Sequence, residues 1–313
     1  MDINEICRQF GINAVSSEKL SEGHINRTFI ITADTGQKYI LQSLNSNIFH
    51  HPKVVMQNIS TTESTFSGCD TVQIPHYLLS KGRNFIISDS EIWRMYGYIT
   101  ESGNVNAYQT GFSFGTFIKT MDGCKLAAEP PIDNFHSFKT YLSRLEAVAG
   151  NTDIRRFIRL GEYLSDIFSD DIPKRIIHGD AKTANVITGQ KCTVIDLDTI
   201  MYGFAALDYG DMIRSVCGKG IDFQAVADTT RGFADGLDGI LTKKENDTLF
   251  SGILWVTGEL SMRYMTDYLS NEGYFSGKTP EQCLERSDAL LKLLDEFIHS
   301  ENELKSIICE NFH

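Results

Sequence analysis

Hydrophobic positions are spaced differently in the two parts of this chain. In the first hundred residues short β-rich runs alternate with turn residues; beyond them the apolar positions follow longer helical periods. Ile3, Ile6, Phe10 and Ile12 share one side of a short helix over residues 1–11. Val15 to Leu20 reads as a strand. Phe29-Ile30-Ile31 and Tyr39-Ile40-Leu41 flank Asp34-Thr35-Gly36, which predicts a hairpin. His51-Pro52 is a break, and Pro52 suits the first turn of a helix running to about Phe66. Phe85-Ile86-Ile87 and Ile92-Trp93-Arg94-Met95-Tyr96 bracket a turn at 88–91 and read as two more strands. Trp93 is assigned to the core. From Tyr108 onward the pattern predicts helices at 108–120, 135–148, 154–168, 222–238, 243–270 and 280–299. Thr242-Lys243-Lys244-Glu245 has the form of a capping box. The class is α/β (α+β), a sheet with a helix followed by a mostly helical region.

Between the helices lies the stretch that carries chemistry, residues 175–214. Ile176-Ile177 leads into His178-Gly179-Asp180, with Asn185 five residues after Asp180. Thr193-Val194-Ile195 then ends on Asp196-Leu197-Asp198. With a turn at Thr188-Gly189-Gln190, the two apolar runs are expected to form one hairpin-sized unit. Phosphoryl transfer needs such a set: a carboxylate to accept the attacking hydroxyl's proton, and a carboxylate and an amide oxygen to hold Mg²⁺. H-x-D-x₄-N followed by a strand ending in Asp therefore assigns Asp180 as base and Asn185 and Asp196 as metal ligands, with Asp198 on the same face as a further ligand or support. The plain alternative is a polar hairpin with surface carboxylates. Asp208-Tyr209-Gly210 imitates a kinase metal motif, but Asp196 already ends the expected strand. Asp208 or Asp211 is assigned to supporting the next helix.

HGDAKTANV, VIDLDTIMYG and LDYGDMIR resemble the aminoglycoside phosphotransferase and choline kinase superfamily, and within it the N-acetylhexosamine 1-kinases. Gly179 and Tyr202 stand where that subfamily usually has Asn and Pro. The resemblance implies a kinase-like two-lobe fold, with a nucleotide-binding lobe at 1–97 and a catalytic and substrate-binding lobe at 98–313. It implies ATP and Mg²⁺ as cofactors. Gly23, His24 and Asn26 would cover the phosphates. Gln42 takes the place of the third-strand Lys of protein kinases, so other cations must neutralise phosphate there. Tyr96 and Tyr98 fall at the lobe hinge that binds adenine. Phe135-His136 and Arg144-Leu145 resemble a subfamily pattern, with His136 read as a structural or surface histidine and a substrate contact as the alternative. RYMTDYL followed by Tyr274-Phe275 resembles the subfamily's sugar-contacting segment, which gives Arg263 and Tyr274, with Asp180, to substrate binding. A surface Arg263–Asp267 pair is the bland alternative. The implied reaction is phosphorylation of the anomeric hydroxyl of an N-acetylhexosamine. A kinase for another small alcohol and a catalytically weak binding module are the rivals.

Composition narrows the partners. A formal charge of −12 over 313 residues argues against nucleic acid. The seven cysteines are scattered singly, as expected for free thiols in a reducing, cytoplasmic setting. No basic, apolar leader opens the chain and no run approaches a membrane span, so a membrane is not an expected partner.

Overall fold

The computed structural model describes residues 2–20, 25–275 and 277–312. A short helix α1 (Ile3–Gln9) precedes a sheet of β1 (Ala14–Lys19), β2 (Arg27–Ala33), β3 (Lys38–Ser43), β5 (Ile86–Ser88) and β6 (Glu91–Gly97), ordered β1-β2-β3-β6-β5 and antiparallel throughout. The β2–β3 turn closes at Gly36, whose φ of +82° is a backbone state that glycine adopts without strain. Between β3 and β5 run α2 (Pro52–Phe66), with Pro52 in its first turn, and β4 (Val72–Gln73). One face of the sheet buries Ile31, Leu41, Trp93 and Met95 against Ile6, Cys7 and Phe10 of the α1 region. Trp93 is therefore a core residue, 2 % exposed.

The larger body contains α3 (Ala107–Thr120), α4 (Phe138–Val148), α5 (Arg155–Leu164), α6 (Ala205–Cys217), α7 (Phe223–Leu237), α8 (Lys243–Asp247), α9 (Leu249–Ser270), α10 (Pro280–His299) and α11 (Glu301–Asn311). Short strands β7 (Arg175–Ile177), β8 (Val186–Ile187), β9 (Cys192–Val194) and β10 (Met201–Gly203) sit among them. Helices α3 and α7 cross glycine to glycine: a Cβ on Gly111 or Gly232 would collide with backbone of the facing helix. Helices α6 and α9 cross the same way at Gly210 and Gly252. The capping box at Thr242 and Glu245 is formed, but it opens the short α8, and the expected long helix breaks at Thr248 before α9.

One expectation needs correction. The apolar runs at 176–177 and 193–195 do not pair with each other. β7 pairs with β10, whereas β9 pairs with β8 and, in parallel, with β4. Strand partners are chosen by long-range packing, which a local pattern does not encode. The sheet ends at Gly97, and Leu44, Phe49, Val55, Met56, Ile59, Phe66, Val72 and Tyr77 share one core cluster with the larger body. All seven cysteines are free. Among the described residues no helix is long and apolar enough to cross a membrane.

Candidate active site

The loop after β7 is pinned from several sides. Asp208, in the first turn of α6, accepts the backbone N–H groups of His178 at 2.7 Å and Gly179 at 2.8 Å. Its carboxylate is thereby committed to holding the loop. The buried His178 ring bonds through Nε2 to the Ile195 carbonyl at 2.9 Å, while Nδ1 accepts the Asp180 N–H at 3.3 Å. That pair of bonds fixes the tautomer with the proton on Nε2. The edges of Phe114 and Phe117 close around the ring. Gly179 has φ +81°, and a Cβ there would lie 2.7 Å from the Thr199 carbonyl oxygen. The left-handed state and this close approach both suit glycine, which has no Cβ to strain or collide. Tyr202 lies in the β10–β7 pairing, and its hydroxyl accepts the Leu126 N–H at 3.0 Å.

Asp180, Asn185 and Asp196 converge at the end of this loop. Asp180 Oδ2 accepts from Lys182 Nζ at 2.6 Å and from Asn185 Nδ2 at 2.9 Å. Burial raises the Asp180 carboxyl, but Lys182, His178 and Asn185 outweigh it and leave the group below its ordinary 3.8. Among the described residues Asp180 Oδ1 and Asn185 Oδ1 have no hydrogen-bond partner, and neither does either oxygen of Asp196. Asp196 sits at φ +62°, a state costly for a residue with a side chain. Burial first, then the charges of Asp198 and Asp180, push its carboxyl up to about 7. An unpartnered carboxylate and a free amide oxygen are hard-oxygen donors of the kind a divalent cation takes, although among the described residues no group of three or more His, Cys, Asp or Glu gathers closely enough to hold a metal ion.

Asp198 is placed differently. One oxygen pairs with the buried Arg94 of β6 and the other accepts Asn26 Nδ2 at 2.6 Å. Arg94 also donates to Gln42 Oε1, from Nε at 3.0 Å and Nη2 at 2.8 Å. Gln42 and Arg94 are cross-strand partners on β3 and β6, and the Arg94 charge is committed to Asp198. Gln42 donates in turn to Thr28 Oγ1 at 3.2 Å, and Asn26 Oδ1 accepts the Asn45 N–H at 3.1 Å. Both amides assigned to the nucleotide are thus engaged within the protein. Tyr96 packs edge-on against Tyr77 at 5.2 Å, and Tyr98 is exposed with its N–H on the Lys38 carbonyl at 3.0 Å. Gly23 and His24 lie outside the described residues.

A second cluster abuts the loop from α9. His136, at φ +58°, bonds through Nε2 to the Gly179 carbonyl at 2.8 Å and through Nδ1 to Glu259 at 3.2 Å. Burial disfavours the imidazolium, but Glu259 and the carbonyl outweigh it and raise His136 from 6.5 to about 9. It is therefore cationic at neutral pH and donates from both nitrogens. Arg263 lies one helical turn beyond Glu259, its Nη1 3.9 Å away. Its guanidinium is enclosed by Phe135, Tyr141, Tyr274 and Phe275, and Nη2 donates to the Tyr274 hydroxyl at 2.7 Å. Asp267 is not its partner; that carboxylate accepts the backbone N–H groups of Tyr274 at 2.8 Å and Phe275 at 3.0 Å. Arg263 Nε has no partner among the described residues, and the adjoining cavity is only about 60 Å³. That holds a water or two and not a hexose.

Sequence reasoning missed Arg94, Lys182 and Glu259. Lys182 stood in plain view two residues after the base. Arg94 gave no local signal; only the β3–β6 register places it opposite Gln42. Glu259 is one carboxylate in a helix and is singled out only by the imidazole it faces.

Residues 97–239 match the model of the phosphotransferase enzyme family. The structure resembles a spectinomycin phosphotransferase solved with ADP and spectinomycin, at 13 % identity over 96 % of this chain and 97 % of that one, TM-score 0.64. It resembles an amicoumacin kinase solved with AMP-PNP, Ca²⁺ and its substrate, at 14 % identity over 96 % and 94 %, TM-score 0.65. A choline kinase from Cryptosporidium parvum matches at 12 % identity over 99 % and 98 %, TM-score 0.58. The fold is kinase-like, the fold of these phosphotransferases and of the choline kinase.

Proposed function

We propose that this protein is an ATP- and Mg²⁺-dependent small-molecule kinase, and that its acceptor is the anomeric hydroxyl of an N-acetylhexosamine. The observation that carries the kinase reading is the pairing of Asp180, one oxygen held by Lys182 and Asn185 and the other free, with the unpartnered carboxylate of Asp196. Asp180 Oδ1 is the atom left to orient the acceptor hydroxyl and take its proton as the new O–P bond forms and the β,γ P–O bond breaks, releasing ADP. Asp196 and Asn185 Oδ1 would hold Mg²⁺, which when bound supplies charge neutralisation of the phosphates. Asp198, with both oxygens engaged, takes the supporting role. Lys182 keeps Asp180 ionised and adds positive charge beside the transferred group.

The sugar assignment rests on Arg263 and Tyr274, which meet at 2.7 Å and present a fork of donors, a hydroxyl and aromatic surface. A hexose needs more room than the cavity beside them has, so this reading requires the 271–275 segment to shift when sugar enters. Phosphorus NMR of reaction products from a panel of N-acetylhexosamines, an aminoglycoside and choline tests it. Phosphate on an anomeric carbon supports the proposal. Phosphate on another alcohol only would keep the kinase and discard the hexosamine.

A further inference from the structure

Beside the base lies a second cavity, of about 410 Å³, between the catalytic loop and helices α6, α9 and α10. Lys182, Arg214 and Arg286 line it together with the hydroxyl residues Thr183, Ser215 and Tyr264, and no carboxylate-bearing residue is among its lining residues. Lys182 reaches from this wall to Asp180, so the cavity begins one side chain from the oxygen that would take the hydroxyl proton. Arg214 is set in place by Asp211, whose Oδ1 accepts from Nε at 2.8 Å and from Nη2 at 2.6 Å, and Nη1 has no hydrogen-bond partner among the described residues. Arg286 is exposed and forms no ion pair among the described residues. Thr183 and Ser215 are fixed to each other, hydroxyl to hydroxyl at 3.0 Å.

Such a wall is unusual on a chain of net charge −12. Lys182 is paired with Asp180 and Arg214 with Asp211, so the uncompensated charge at this wall among the described residues is that of Arg286, which acts at contact while the distributed negative charge is mostly screened beyond ~8 Å at physiological salt. A choline or aminoglycoside cation would be repelled by this wall, and a neutral sugar would leave its charge unused.

We propose that this cavity is the subsite for an oxyanion, a phosphate monoester or carboxylate, carried by the same acceptor molecule whose hydroxyl Asp180 addresses. Together with the hexosamine reading, the acceptor is then an N-acetylhexosamine that itself carries an anionic group. Arg286, which forms no ion pair among the described residues, is its main selectivity determinant, and Nη1 of Arg214 completes the donor set; the Ser215 hydroxyl donates to the Met212 carbonyl and accepts from the Thr183 hydroxyl, so these two shape the wall without donating. The inference rests on the reading of Asp180 as the base and narrows the substrate class of that site.

Two measurements test it on the full chain. The first is calorimetry with inorganic phosphate, without nucleotide, on the wild type and Arg286→Ala, followed by competition with N-acetylglucosamine 6-phosphate, glucuronate and neutral N-acetylglucosamine. The second is steady-state kcat/KM for each acceptor beside its neutral counterpart, with glucose paired to glucuronate. Phosphate should bind the wild type, weaken by about tenfold or more in Arg286→Ala, as expected for loss of one charge-assisted hydrogen bond, and be displaced by the anionic sugars only. The kinetic preference for an anionic acceptor over its neutral partner should be about tenfold or more and should shrink in the variant. Phosphorylated sugar and glucuronate tell phosphate and carboxylate apart. Equal kcat/KM for charged and neutral acceptors, or an equal loss on both in Arg286→Ala, would overturn the subsite and leave the kinase standing. Phosphate that binds but is displaced by no sugar would also overturn it, marking a site for free phosphate. Displacement by anionic sugars with no turnover of any acceptor would keep the subsite and sink the kinase reading.

Discussion

Arg94 and Asp198 form an ion pair with both side chains almost wholly buried, 1 % and 3 % exposed, joining the sheet to the segment that follows β9. Removing one partner strands the other charge without water, so Arg94→Met and Asp198→Leu should each cost about 3–5 kcal/mol in denaturant unfolding. The double variant should cost less than either single one. Additive losses would show that the two residues do not act as a pair.

Asp180→Asn keeps the shape of the side chain and removes the proton acceptor. Turnover should fall on the order of 10²–10⁴-fold with unchanged melting behaviour. Near-normal turnover in a clean preparation would remove Asp180 from the mechanism.

Asp196 differs from Asp208 in what its oxygens meet. Asp208 holds two backbone N–H groups of the loop, whereas Asp196 meets no donor among the described residues. Asp196→Ala should abolish turnover at any attainable Mg²⁺ while leaving the fold intact, because a ligand oxygen is lost and no internal bond is. Asp208→Ala should instead lower thermal stability, since it leaves two N–H groups unsatisfied. A reversal of these two phenotypes would mean the metal carboxylate was misassigned.

His136 makes stability depend on pH. Its pKa rises from 6.5 to about 9 in the folded protein, so the native state holds the extra proton. The stabilisation is complete below about 6.5 and is lost as pH rises through about 9. Unfolding free energy should fall across that window by roughly 1–3 kcal/mol. His136→Gln should flatten the slope and be less stable at pH 7. An equally steep slope in the variant would assign the dependence to other groups.

The Arg263–Tyr274 contact is a single hydrogen bond from a charged donor within an aromatic enclosure. Under the hexosamine reading Arg263→Ala raises KM for the sugar far more than for ATP, and Tyr274→Phe costs about 1 kcal/mol in kcat/KM. Kinetics with sugar varied at fixed ATP decide it. An unchanged sugar KM in Arg263→Ala would make this cluster purely structural.

Local chemistry was legible in the sequence and partner choice was not. The Asp34–Gly36 turn, the Pro52 helix start and the Thr242–Glu245 box depend on neighbours in the chain, and each is formed as read. Asp180, Asn185 and Asp196 are within 17 residues of one another, and the structure brings them to one loop end. The β7–β10 and β4–β9 pairings, the Arg94–Asp198 pair and the His136–Glu259 contact join residues far apart in sequence, which periodicity cannot link. Helix α11 was missed because only Leu304 and Ile308 of its residues turn inward, too few to register as a helical stripe.

The placement of residues 44–77 in the larger core sets an order on how the chain can be completed as it is made. The sheet and α1 bury Ile6, Cys7, Leu41, Trp93 and Met95 among themselves, so that unit closes once residue 97 has left the ribosome. Phe49, Val55, Met56, Ile59 and Phe66 emerge earlier still, but they share a core with Ile177, Val194, Leu249 and Phe297. They must wait for Phe117 of α3 and for residues 197–200, against which α2 packs, and stay exposed to solvent until that stretch is made. A fragment cut at residue 98 would lack them altogether and begin life with a hole in its interior. The apolar face of α2 is therefore the part of the nascent protein most in need of a chaperone.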